Sequence, residues 1–197
     1  MIPILEQKKK NYALLKQKKY ELNDYSLVSI RKTDIQLIRK WRNDQIDVLR
    51  QTNFITKNEQ EKYYNTVIQK TFSQKKPDMI LFSFMLKKKC IGYGGFVHID
   101  WKSKRSEISF ITQTERNIDK KIYATDFKAF FNLIFQIGFN ELEFNKLTTE
   151  TFDIRPYVIE LLENTHFKLE GRLKQHVLIK DFFVDSLVHG CLRKHLK

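Results

Sequence analysis

The residues of this chain best suited to chemistry lie close together around position 100. Glu107 heads an otherwise apolar run, Glu107 to Ile111 (EISFI), and His98 and Asp100 flank Ile99 a few residues upstream. A carboxylate half-buried on an apolar strand has its pKa pushed up, which suits a general base that must take a proton from an ammonium group. His98 is the second candidate for that role. Residues two apart on a strand share a face, so His98 and Asp100 could together bind an amine or relay its proton. No cluster of histidine, cysteine and carboxylate has metal-ligand spacing, no Ser-His-Asp pattern stands out, and no metal is expected.

These residues need a frame, and the frame reads as a β-hairpin. Cys90 to Ile99 is apolar and aromatic with Gly92, Gly94 and Gly95 inside it, and Asp100 to Ser106 is a polar, basic connection into the second strand. Glycines inside a strand mark a bulge or a close approach of backbone to something else. After a connector (Thr112 to Lys121) comes a helix over Ile122 to Phe139, with Phe127, Phe130, Phe131, Ile134 and Phe135 on one face. A strand, a basic turn and a helix N-terminus make an anion site, because the first N–H groups of a helix have no internal partner.

Upstream, Tyr25 to Ile30 reads as a first strand, Lys32 to Asn43 as a helix ending Trp41-Arg42-Asn43, and Asn58 to Phe72 as a second helix. Met79 to Leu86 joins Cys90 to Ile99 through a turn at Lys87-Lys88-Lys89. Downstream, Lys146 to Phe152 is a strand and Pro156 to Asn164 a short helix with proline in its first turn. Lys168 to Ile179 and Phe182 to Leu192 close the chain as a hairpin turned at Lys180-Asp181. The order predicts an α/β (α+β) sandwich, with a mixed, mostly antiparallel sheet of about seven strands and about four helices.

On these residues the chain resembles the GNAT superfamily of acyl-CoA N-acyltransferases, in particular its ribosomal-protein and amino-sugar branch. The family's motif strand, A-E-I followed by apolar residues, matches Ser106 to Ile111, and Thr125-Asp126 stands for the T-E that opens the next helix. Tyr25 to Asn43 resembles the family's first strand and a helix ending W-R-N. Leu161 to Gly171 (LLENTHFKLEG) resembles its L-Y-E-K-L-G-F-x-x-E-G close. The resemblance spans about Tyr25 to Leu192.

It implies a sheet splayed at the motif strand and acetyl-CoA as co-substrate, held by Ile108, Phe110, Ile111, Lys120, Lys121, Tyr123, Ala124 and Thr125. It also implies a primary-amine acceptor facing Trp41, Arg42, Asn43 and Asp100, with Glu107 as base. Two departures stand out. The pyrophosphate-loop positions fall on Asp119, Ile122 and Ala124, of which only the last matches. The family's asparagine and general-acid tyrosine fall on Arg155 and Leu162, leaving Tyr157 or Tyr123 as substitute acid. The acceptor this branch suggests is a nucleotide-linked amino sugar of surface polysaccharide biosynthesis. A protein N-terminus or lysine, or a non-catalytic binding module, is the alternative.

The chain has 197 residues and is 42% hydrophobic, with 16 phenylalanines, enough for one core and too short for two large domains. Residues 1–23 read as a basic, helical extension, and 24–197 as a single domain. Cys90 and Cys191 are far apart, which fits a reducing compartment. Neither a leader nor a membrane-spanning run is evident, so the protein reads as cytoplasmic, without stable membrane insertion. The formal charge of +13 suits an anionic donor or acceptor. No nucleic acid is expected, and a homodimer is possible.

Overall fold

The computed structural model describes residues 11–196. Eight strands form one sheet: β1 (Lys19–Leu22), β2 (Tyr25–Ser29), β3 (Ile80–Leu86), β4 (Lys89–Asp100), β5 (Arg105–Thr112), β6 (Lys146–Phe152), β7 (Lys168–Ile179) and β8 (Phe182–Leu192). Their order is β1-β2-β3-β4-β5-β6-β8-β7, and every neighbouring pair is antiparallel except β5–β6. The helices are α1 (Ile35–Asp44), α2 (Lys57–Tyr63), α3 (Gln69–Thr71), α4 (Thr114–Ile118), α5 (Lys120–Phe135) and α6 (Pro156–Glu163). None among the described residues is long and apolar enough to cross a membrane.

The expected mixed α/β sheet is therefore present, with one strand more than expected. The extra strand, β1, falls where a basic helix was expected. Residues 11–18 form turns, and the earlier part of that extension lies outside the described residues. Tyr12 explains the difference. It is buried, its hydroxyl accepts from the Leu81 N–H at 2.7 Å, and its ring meets Phe72 edge-on at 4.7 Å. A segment anchored to β3 in this way cannot turn its side chains as a helix would.

The core lies between α5 and the middle of the sheet. Phe110 of β5 stacks on Phe130 at 4.1 Å, and Phe127 stacks on Phe131 at 4.2 Å. Gly94 permits this approach: a Cβ there would lie 2.2 Å from the Ser109 carbonyl oxygen and 2.7 Å from the Phe130 ring. The start of α5 is pinned by fully buried Asp126, which receives both prongs of Arg116 at 2.6 and 2.7 Å and the Tyr25 hydroxyl at 2.9 Å.

The feature that positions the site is the way β5 and β6 part. They pair through three positions, Arg105 with Lys146, Ser106 with Leu147 and Glu107 with Thr148, and then stop. Beyond Glu107, β5 pairs only with β4, while β6 from Thr149 pairs only with β8. The facing edges of Ile108–Thr112 and Thr149–Phe152 have no ladder partner, so a cleft opens there and Glu107 sits at its fork.

Candidate active site

A cavity of about 850 Å³ runs through this cleft, from the α1–α2 side of the sheet to the space under α5 and α6. On β5 it is lined by Glu107 to Phe110 and on β6 by Thr149 to Phe152. Glu107 keeps 18% of its side chain exposed, and its carboxylate is ion-paired with the Arg50 guanidinium. Arg50 also reaches Glu150 of β6 at 3.2 Å, and Glu150 accepts from the Ser186 hydroxyl at 2.6 Å. One arginine thus bridges two carboxylates, one on each separating strand.

His98 lies on the cavity wall, and the reason is local. The β4–β5 register shifts between Val97 and Asp100, and His98 takes φ +50°. Such a bulge re-aims a side chain and breaks the two-residue alternation. His98 and Asp100 consequently do not act from one face: Asp100 accepts from the Ser103 N–H at 2.9 Å and pairs with Arg105 at 3.4 Å, inside the hairpin turn.

The Trp41-Arg42-Asn43 corner divides in the same way. Trp41 is 3% exposed and packs in the core, so its ring has no face free for an acceptor. Asn43 closes a loop, donating to the Ile55 carbonyl and accepting from the Ile55 N–H, each at 2.9 Å. Arg42 alone of the three reaches the cavity, donating to the Tyr93 hydroxyl and to Gln51 at 3.0 Å.

On the coenzyme side, Ile108, Phe110 and Tyr123 line the cavity, joined by Phe127, Val158 and Leu162. Ile111 is buried and Ala124 packs against the core, both outside the lining. Lys120, Lys121 and Thr125 are exposed at the start of α5. The helix begins two residues earlier than expected, and its end is not bare. The Asp119 carboxylate accepts from the N–H groups of Lys121 and Ile122 at 2.9 and 3.0 Å. An aspartate N-cap has taken two of the donors expected to face an anion.

Tyr157 is also engaged elsewhere, donating to the Lys120 carbonyl at 2.7 Å with the Lys120 amine 5.4 Å above its ring. Tyr123 does face the cavity; burial raises the pKa of its phenol, with the nearby Arg155 guanidinium working the other way.

Sequence reasoning passed over Glu150 and left Arg50 in the background. Glu107 stands out because it heads an apolar run, whereas Glu150 sits among the threonines of KLTTETF and carries no such signal. Thr149 is a further omission: its hydroxyl is buried on the cavity wall with no hydrogen-bond partner. A cleft between strand edges, apolar underneath and carrying such an unsatisfied hydroxyl, fits the amide-bearing arm of a coenzyme A thioester.

A sheet split beside a carboxylate, over a cavity lined from both faces, has room for a thioester on one side and a nucleophile on the other, as the resemblance implies. The comparisons give the family. A model described as acetyltransferase (GNAT) domain matches residues 27–188. The chain belongs to that family and is an acetyl-CoA-dependent N-acetyltransferase.

Among solved structures, spermidine N-acetyltransferase from Vibrio cholerae in complex with CoA and spermine is similar at 19% identity, with 89% of this chain and 100% of that chain covered and a TM-score of 0.78. A dodecameric structure of the same Vibrio cholerae enzyme is similar at 17% identity, covering 89% and 97%, with a TM-score of 0.71. A putative acetyltransferase follows at 12% identity, covering 91% and 89%, with a TM-score of 0.70. A comparison with curated proteins gives no match.

Proposed function

We propose that the acceptor is the primary amine of a nucleotide-linked amino sugar. The supporting observation is the wall around the fork: Arg42 and Arg50 with Tyr63 and Tyr93, in a chain of charge +13. The chain's overall positive charge draws an anionic acceptor toward the mouth, where the arginines are interleaved with carboxylates. Arginines bind phosphate with two prongs, and tyrosine rings give a sugar an apolar face.

In this reading Glu107 takes the proton from the incoming ammonium, directly or through a water, with His98 second. Bound acetyl-CoA supplies a thioester carbonyl. A backbone N–H on the free edge of Ile108–Thr112 meets the negative charge that develops on its oxygen, a donor typically worth ~3 kcal/mol. Tyr123 holds a proton at its phenol oxygen for the leaving sulfur, the task for which Leu162 is unsuited. Thr149 orients the coenzyme arm.

A second reading is a polyamine acceptor. It is favoured by four carboxylates on the cavity wall, Glu59, Asp78, Glu107 and Glu150, and by the spermidine acetyltransferase activity named for two of the similar structures. A basic-peptide acceptor draws on the same carboxylates. Thiol release from acetyl-CoA with nucleotide-linked amino sugars, spermidine and a lysine peptide separates them. Turnover with an amino sugar at least tenfold above the other two is expected, and the reverse order overturns the proposal. A calorimetric titration with acetyl-CoA that shows no binding overturns both readings in favour of a non-catalytic module.

A further inference from the structure

Arg50 stands where an acceptor's ammonium has to stand. One of its terminal nitrogens pairs with Glu107 and the other lies 3.2 Å from Glu150. The arginine side chain is 48% exposed, while the carboxylates keep only 18% and 15%. A cation from the mouth has therefore been laid across two largely covered anions. Among the described residues it is the only cation within ion-pair distance of either carboxylate. The loop carrying it is fastened at both ends, by Asn43 to Ile55 and by the Lys180 amine on Asp47 at 2.5 Å, so the guanidinium is presented there rather than stranded there.

We infer that Arg50 is a specificity-determining residue that selects amines bearing an anionic group, such as a phosphate, over amines without one. The inference rests on Glu107 being the base. An ammonium that pairs directly with Glu107 competes with one nitrogen of the guanidinium. The freed N–H groups, on a side chain 48% exposed, return to water unless the acceptor brings an anion to them. A phosphate on the same acceptor takes them with two parallel hydrogen bonds, the geometry in which arginine binds best. A neutral amino sugar offers no such replacement, and a polyamine adds only positive charge. The fork thus trades one carboxylate for one phosphate, and only a molecule carrying both charges completes the exchange.

Glucosamine 1-phosphate and glucosamine make a matched pair of probes, read by ligand-observed NMR on the coenzyme-saturated protein. The wild type should bind the phosphate at least tenfold more tightly. In Arg50→Gln the ratio should fall within about threefold of one, and Arg50→Lys, which keeps the charge without the fork, should lie between. Calorimetric binding of acetyl-CoA to each variant confirms that it is folded. Equal binding of the two probes by the wild type, absence of binding by either, or an undiminished ratio in Arg50→Gln overturns the inference. Wild-type turnover by Glu107→Gln instead removes the base reading beneath it, so the two failures are distinguishable.

Discussion

The two walls of the cavity differ in where their charges lie. Toward α1 and α2 aliphatic chains such as Ile30, Ile38, Leu49 and Leu81 are interrupted by charged and polar groups tied by long-range contacts: Arg42 to Tyr93, Arg50 to Glu107 and Glu150, with His98 re-aimed by a bulge. Toward α5 and α6 it is mostly rings and branched chains, Phe110, Phe127, Phe131, Val158 and Leu162, with Tyr123, Arg155 and the β6 threonines Thr149 and Thr151 among the polar exceptions. A surface of ion pairs discriminates between partners by the charge each must replace. A surface of stacked rings accepts any slim arm that fills the cleft without leaving a polar atom unpaired. In the proposed reading, selection of the acceptor therefore belongs to the first wall and seating of the coenzyme to the second, with Glu107 at the seam.

The sharpest way to break that division is at the seam. Glu107→Gln keeps the shape and hydrogen-bonding ability of the side chain and removes its basicity. Turnover should fall at least tenfold, and a positioned base supports on the order of 100- to 10,000-fold. Acetyl-CoA affinity by calorimetry should change less than twofold, since the second wall is untouched. Wild-type turnover across the pH range would remove Glu107 from the mechanism, and parallel loss of coenzyme binding would mean that the walls are not independent.

The polar exception on the apolar wall gives the next test. Burial raises the Tyr123 pKa above the ordinary tyrosine value of 10.0, against the opposing Arg155 charge. The phenol therefore stays protonated as pH rises through neutrality, and its contribution fades only as pH passes its raised pKa. Tyr123→Phe should lower turnover about tenfold, the low end for an acid because a thiolate leaves with little help. The factor should be the same at pH 7 and pH 9. A deficit that shrinks by pH 9 would mean that the phenol has already lost its proton there, and would exclude it as the donor.

The same contrast governs what the sequence could reveal. The apolar wall repeats at helical spacing on α5, so its burial was legible from Phe127, Phe130, Phe131 and Ile134 alone. The bounds of the closing hairpin were legible to the residue from the Lys180-Asp181 turn, but the two shifts of register along β7 were not. The polar wall has no period. Arg50 meets Glu107 across 57 residues of chain and Glu150 across 100, a juxtaposition made by the split of β5 from β6. Trp41 shows the converse: its neighbours in sequence resemble an acceptor corner, but its apolar surface is worth more in the core than at the mouth.

The smallest effect concerns the point where the second wall meets solvent. Asp119 both caps α5 and puts a negative charge where the coenzyme's pyrophosphate would approach. A serine cap satisfies the same N–H groups without the charge, and caps of this class differ little in stability, whereas loss of the cap to alanine costs about 1 kcal/mol. Asp119→Ser should therefore leave the melting temperature nearly unchanged and tighten acetyl-CoA roughly threefold, the scale of one charge at an exposed helix end. The gain should shrink as salt is added, because the repulsion it removes is screened. Acceptor KM should stay put, since Asp119 is not among the residues that line the cavity with Arg42 and Arg50. Weaker coenzyme binding in Asp119→Ser would mean that the carboxylate helps rather than competes, and that Lys120 and Lys121 hold the pyrophosphate without the backbone.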